Sequence, residues 1–258
     1  MKNRLALLFV FIAVMLVGCA TPPQQPISLS DEVLGARSGR IGVVMTPLPK
    51  VDTQLPGAGC LLCIAAAAVA NSSLTSHAQT LPYEDIPNLK KDITGLLRNK
   101  GADAVEIPEE LIVGDLPDFG ASMPNAARKD YSALRKKYGI DKLLVIDITT
   151  LGFIRTYSSY IPTSAPKANL QGVGYMVNLK TNTYDWYKPV QVMKSSDQNW
   201  DEPPKFPGLT NAYFQALEIG MDNFRQPFVG SSSAAINQFN NSPITRATQD
   251  TSSTGNRQ

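Results

Sequence analysis

The run Leu143-Leu144-Val145-Ile146-Asp147-Ile148 is apolar at every position but one. A strand with one face in water alternates apolar and polar residues, so a run this continuous predicts a strand covered on both faces. That requirement forces a layered fold in which other elements cover each side. Helices to do so are legible nearby. Ile86, Leu89, Ile93, Leu96 and Leu97 fall at helical spacing opposite Lys90, Lys91, Asp92 and Arg98, with Gly101 as the stop. Asn125 to Gly139 reads as a second amphipathic helix, with Tyr131, Leu134 and Tyr138 opposite Arg128, Lys129, Arg135, Lys136 and Lys137. Tyr213, Ala216, Leu217, Met221 and Phe224 mark a third, ended by Pro227.

Further strands are expected at Ile41 to Met45, closed by Pro47, at Ala102 to Ile107 and at Phe153 to Ile161. Ala168 to Leu179 and Tyr184 to Met193, joined across Lys180-Thr181-Asn182-Thr183, carry a hairpin signal. Val173, Tyr175, Val177 and Leu179 would give its first strand one buried face. The expected fold class is therefore α/β (α+β), a mixed, largely antiparallel sheet with helices packed on it, over residues 40–228. Residues 229–258 are mostly Ser, Asn, Thr, Gln and Gly, with few side chains to bury, and are expected to form a disordered tail.

The amino terminus has a different logic. Lys2 and Arg4 precede the apolar run Leu5 to Leu16, too short for the roughly 20 residues that span a bilayer, and small Gly18 precedes Cys19. This is the secretory signal pattern, and Leu16-Val17-Gly18-Cys19 resembles the lipobox of bacterial lipoproteins. The resemblance implies removal of residues 1–18 and lipid attached covalently to Cys19. With Ala20 following instead of the aspartate that retains enteric lipoproteins in the inner membrane, it implies the outer membrane, with the domain facing the periplasm. Residues 19–39, with Pro22, Pro23, Pro26, Gly35 and Gly39 among polar residues, read as a tether spanning on the order of 25 Å.

The 24 lysines and arginines of the chain lose Lys2 and Arg4 with the signal, leaving 22 against 22 acidic residues. A neutral chain of mixed signs lacks the basic surface that phosphate neutralisation requires, which excludes nucleic acid as a partner. Catalytic sets are equally scarce. Cys60 and Cys63 form a C-x-x-C inside an apolar stretch that continues through four alanines to Ala70, expected to be a buried helix; lipid or partner contact is the other reading. The cysteines read as buried, bonded or free, with a redox pair or a metal site as lesser alternatives. His77, the only histidine, lies in Asn71 to Thr80, read as a polar loop, and has no G-x-S-x-G partner. Glu109, Glu110, Asp115 and Asp118 read as a solvated acidic loop.

The order of elements also carries a resemblance. Tyr138-Gly139-Ile140-Asp141-Lys142-Leu143-Leu144-Val145 and the hairpin Tyr175 to Trp186 are similar to the strand entry and tryptophan-ended hairpin of periplasmic lipoprotein domains. These include the curli secretion channel family, the lipoprotein activators of penicillin-binding proteins, putative lipoproteins of unknown function, and the amino-terminal domain of the Tol-system TolB protein. The anchor, the neutral mature chain and the scarcity of catalytic sets lead to the expectation of a non-catalytic assembly or regulatory factor that binds another envelope protein or itself, with no cofactor beyond the lipid on Cys19. A self-assembled secretion channel or scaffold, and a thiol-disulfide enzyme using Cys60 and Cys63, are the competing expectations.

Overall fold

A computed structural model describes residues 23–34, 39–83, 85–121 and 123–229. The expected signal, Cys19 and the residues of the expected tail beyond Val229 lie outside the described residues.

The chain runs α1 (Asp31–Leu34), β1 (Ile41–Met45), β2 (Asp52–Gln54), α2 (Leu61–Ala70), α3 (Ser72–Ala78), α4 (Asn88–Asn99), β3 (Ala104–Glu106), α5 (Ser132–Tyr138), β4 (Lys142–Ile154), β5 (Tyr157–Ser158), β6 (Ile161–Pro162), β7 (Lys167–Asn178), β8 (Thr183–Ser195) and α6 (Pro207–Arg225). The main sheet has the order β3-β1-β4-β7-β8, with β2 extending the β1 side along the second half of β4. Pairings among β1, β2, β3 and β4 are parallel, and the long ladders β4–β7 and β7–β8 are antiparallel. The fold is the mixed α/β class expected from the sequence.

Strand β4 is the axis of the sheet. Leu144, Ile146 and Ile148 enter the larger core, under α4 and α6, whereas Leu143 and Val145 enter the smaller core with Tyr131, Leu134, Tyr175 and Val177. Strict alternation would send Leu151 and Phe153 to the second face. They join the first, because the register with β7 shifts between Ile148 and Thr150 and an inserted residue reverses parity. Lys142, at the head of β4, is buried against Asp185 of β8 at 3.0 Å and also donates to the Val33 carbonyl.

On the larger-core face, α6 lays Leu209, Tyr213, Ala216, Leu217 and Phe224 on β7 and β8, with Gly220 admitting Leu170. Arg225 clamps α6 to α4 through Asp92 at 2.7 Å. Three expectations for local structure are corrected. The helix expected over Asn125 to Gly139 is confined to Ser132–Tyr138, because the preceding backbone pairs elsewhere: Ala126 bridges Thr183, Lys129 bridges Asp118, and the Asn182 side chain bonds Tyr131 N and Lys129 O. The strand expected over Phe153 to Ile161 is the end of β4 followed by the small β5–β6 hairpin, turned at Ser159 with φ 57°. The polar loop expected over Asn71 to Thr80 contains α3, whose Leu74 and Ala78, four residues apart, bury one side.

Part of the stretch read as tether is also held. Ile27 exchanges backbone hydrogen bonds with Tyr187 of β8, and Leu34 is buried in the larger core. Edge strand β8 offers unpaired amides, and an apolar side chain four residues into α1 can leave water.

Gly152 has φ +127°, and a Cβ there would overlap the Asp52 carbonyl of β2. Gly152→Ala is expected to lower unfolding stability by about 2–3 kcal/mol, from overpacking plus backbone strain, measured by urea denaturation.

Candidate functional site

Helix α2 departs from the expectation that it is buried. Alanine and leucine favour helix, and both ends are capped: Cys60 Sγ accepts from Cys63 N at 3.0 Å, while Asn71 donates through its backbone and through Nδ2 to Ala67 O at 2.7 Å. Yet only Cys63 and Ala67 of the ten residues are buried. Leu61 is 87% exposed, Leu62 83%, Val69 75% and Ile64 50%. Exposed apolar side chains clustered on one element mark a contact surface rather than a core.

The helix is attached along one narrow stripe. Cys63, Ala67 and Ala58 pack on Tyr157, the first residue of β5, with Leu55 beside them. Below that contact, Asn71 ties the helix end to the sheet: its Nδ2 donates to Tyr157 Oη at 2.6 Å, and its Oδ1 accepts from Arg155 at 3.0 Å. Gly57, at φ +90°, lets the preceding loop meet the hairpin so closely that a Cβ would overlap Tyr157 O, and its carbonyl accepts from Ser159 N. The hairpin tip extends the apolar surface with Tyr160 and Ile161, 68% and 57% exposed. Loop, helix and hairpin thus form one lobe at the carboxyl end of β4.

Cys60 and Cys63 are joined in a disulfide with a Cα–Cα separation of 4.9 Å. Their expected surroundings are corrected too. Cys60 is exposed at the helix cap, Cys63 alone is buried, and Leu61, Leu62 and Ile64 point to solvent rather than enclosing the sulfurs. Among the described residues no group of three or more His, Cys, Asp or Glu gathers as a metal site would need. Glu109, Glu110, Asp115 and Asp118 are exposed, as the solvated loop requires, and Asp118 pairs with Lys129 at 2.9 Å.

His77 lies half-buried in α3 rather than in a polar loop. Its Nε2 lies 2.7 Å from Thr210 Oγ1 and its ring packs 5.7 Å from Phe206, joining α3 to the start of α6. Burial pushes its pKa below the ordinary value. A hollow of ≈1030 Å³, at the opposite end of the sheet, is bordered by Gln24, Phe119, Met123, Arg128, Tyr184 and Tyr187. Behind it, Tyr131 and Tyr175 share a 2.9 Å hydroxyl contact with their rings edge to face, and burial raises the pKa of both phenols.

No family model matches the chain, and no curated protein matches it in sequence. Solved structures do resemble it in backbone course. They include the PelC dodecamer from Paraburkholderia phytofirmans, with 7% identity over 78% of this chain and 94% of that one at a TM-score of 0.33. Protein XCC0632 from Xanthomonas campestris has 12% identity over 83% and 97% at a TM-score of 0.38. Lipoprotein GNA1162 from Neisseria meningitidis has 14% identity over 79% and 99% at a TM-score of 0.27. Likenesses this distant transfer no role, so function has to come from the chain's own residues.

Two outcomes follow from this geometry. The unfolded state takes a proton on His77 near pH 6.5 while the folded state resists it, so His77's contribution is complete above that pH and is lost as the pH falls through it. Denaturation midpoints between about pH 8 and about pH 5 are expected to decline in the native sequence and to decline less in His77→Gln. The disulfide closes only a four-residue loop. Cys60→Ser, which keeps a capping oxygen, is expected to cost no more than about 2 kcal/mol in urea unfolding.

Proposed function

We propose that this chain is an outer-membrane lipoprotein of the bacterial envelope, held by lipid on Cys19 and facing the periplasm, and that it acts there by binding, as a non-catalytic assembly or regulatory factor for an envelope complex. The observation that carries the binding role is the lobe formed by α2 and the β5–β6 hairpin: a surface of exposed leucine, isoleucine, valine and tyrosine with no reacting side chain except the cysteine pair, itself already bonded. The signal run ending at Leu16-Val17-Gly18-Cys19 supplies the location, and a disulfide is at home in an oxidising compartment.

One observation favours a second reading, a thiol-disulfide enzyme. Cys60 is exposed at a helix amino terminus, where a thiolate is stabilised. Against it, Thr53 to Tyr83 contains no lysine or arginine, and Arg155, the cation built into the lobe, is engaged by Asn71, the Ser164 carbonyl and the Trp200 ring. An enzyme of this kind would lose function in Cys60→Ser or Cys63→Ser while keeping its fold.

In cells, a tagged protein cross-linked and analysed by mass spectrometry is expected to yield an envelope partner, and Cys19→Ala is expected to move the protein from the membrane to the soluble periplasmic fraction and to weaken that link. Retention of Cys19→Ala in the membrane fraction in a form that has lost its signal would remove the anchor from the proposal.

A further inference from the structure

The surface of α2 is apolar around more of the helix than one flat protein partner would cover. At about 100° per residue, its two buried positions, Cys63 and Ala67, lie about 40° apart, and the exposed apolar positions sweep about two thirds of the circumference. A rigid partner lies against one side of a helix, whereas a fluid apolar medium surrounds it. Charge points the same way. From Thr53 to Tyr83 the chain has no Asp, Glu, Lys or Arg, and His77, the one ionisable side chain besides the bonded cysteines and Tyr83, is turned toward Thr210 and Phe206. Nothing in this span would carry a formal charge into hydrocarbon at neutral pH, and Arg155, the charge at the base of the lobe, is held on the domain side by Asn71, the Ser164 carbonyl and the Trp200 ring.

Most of the backbone is also prepared to leave water. An α-helix satisfies its interior amides, and here Cys63 N and Ile64 N are bonded to Cys60 through its Sγ and its carbonyl, while the last turn is closed by Asn71. Ten residues rise about 15 Å, half of a bilayer's hydrocarbon thickness, so the helix has the reach of one leaflet and not of a span. Tyr160, beside Ile161 at the hairpin tip, is of the residue type that settles at the headgroup level.

We infer that the α2 lobe inserts into the lipid bilayer as a membrane contact separate from the lipid on Cys19. The position of the amino terminus then fixes an orientation, a point that rests on the anchored reading given above. Gln24 contacts Asn125 and Ile27 pairs with Tyr187, both near the head of β4, and Cys19 is only four residues before Pro23, a reach of at most about 14 Å. The lobe lies at the other end of β4, whose 13 residues extend about 43 Å. With both ends attached, the strands run along the membrane plane and the domain lies flat instead of standing off on its tether.

The test uses the chain from Ala20 to Gln258, which keeps every described element and lacks the lipid site, so a failure of the anchor proposal leaves its outcome untouched. Mixed with vesicles of phosphatidylcholine alone, it is expected to float with them through a density gradient, undiminished at about 1 M salt because no charge attraction is involved. Leu61→Gln, Leu62→Gln and Val69→Gln together are expected to lower the floated fraction about tenfold or more with an unchanged circular dichroism melt, since these side chains make no core contact. In Leu62→Trp, vesicles should shift the added tryptophan emission to the blue and brominated lipid should quench it. Failure of the native chain to float would overturn the inference, as would equal flotation of the triple variant. It is also overturned if sedimentation gives a dimer that the triple variant abolishes while vesicles bind neither, which would make a second copy the occupant.

Discussion

The structure depends on one strand being dry on both sides. Strand β4 is paired with β7 along one edge and, on the other, with β1 over Lys142 to Ile146 and with β2 over Gly152 to Ile154, and its side chains supply both cores. A backbone so placed has no water to turn to, so each amide must find a partner in the sheet. The shift between Ile148 and Thr150 lets this continue past the point where strict alternation would have turned Leu151 and Phe153 away from α6. Gly152 then admits the backbone of β2. Without the shift the second half of β4 would turn Leu151 and Phe153 away from the larger core, and without the glycine it would keep β7 on one edge and lose β2 from the other.

The lobe exists because β4 ends where it does. Arg155, Tyr157 and the hairpin that follows provide the small platform on which Ala58, Cys63, Ala67 and Asn71 rest. A helix attached by so little cannot draw its stability from packing, as α6 does. It relies on the helix propensity of alanine and leucine, on caps at both ends and on the short covalent loop between Cys60 and Cys63. The domain presents an apolar element outward without opening its own core, because the two cores are closed by other residues.

The pattern of apolar residues made much of this legible. The strand at Leu143 to Ile148 follows from an unbroken apolar run, and the hairpin of β7 and β8 and the helices α4 and α6 from periods of about 2 and about 3.6 that survive in the sequence because each of them buries a regular stripe. Reading failed where tertiary partners replaced local ones. Ala126 to Tyr131 has helix-compatible residues, but Asn182 and the hairpin turn claim its backbone. Ser72 to Ala78 is rich in loop residues, yet Leu74 and Ala78 pull it into a helix against the sheet. Ile27 joins β8 only because an edge was left there.

The sequence by itself determined the covered central strand, the layered α/β class and the chemical character of the Cys60 to Ala70 segment as apolar on every side. Apolar content is a property of the residues, but burial is a property of where they end up. Whether that segment fills a core or faces outward depended on how much apolar surface the rest of the chain already supplied to β4. The tertiary structure alone decided that both faces of the sheet were satisfied by α4, α5, α6 and the loops beside them, leaving α2 outside, attached through Cys63 and Ala67 and with its other side chains exposed.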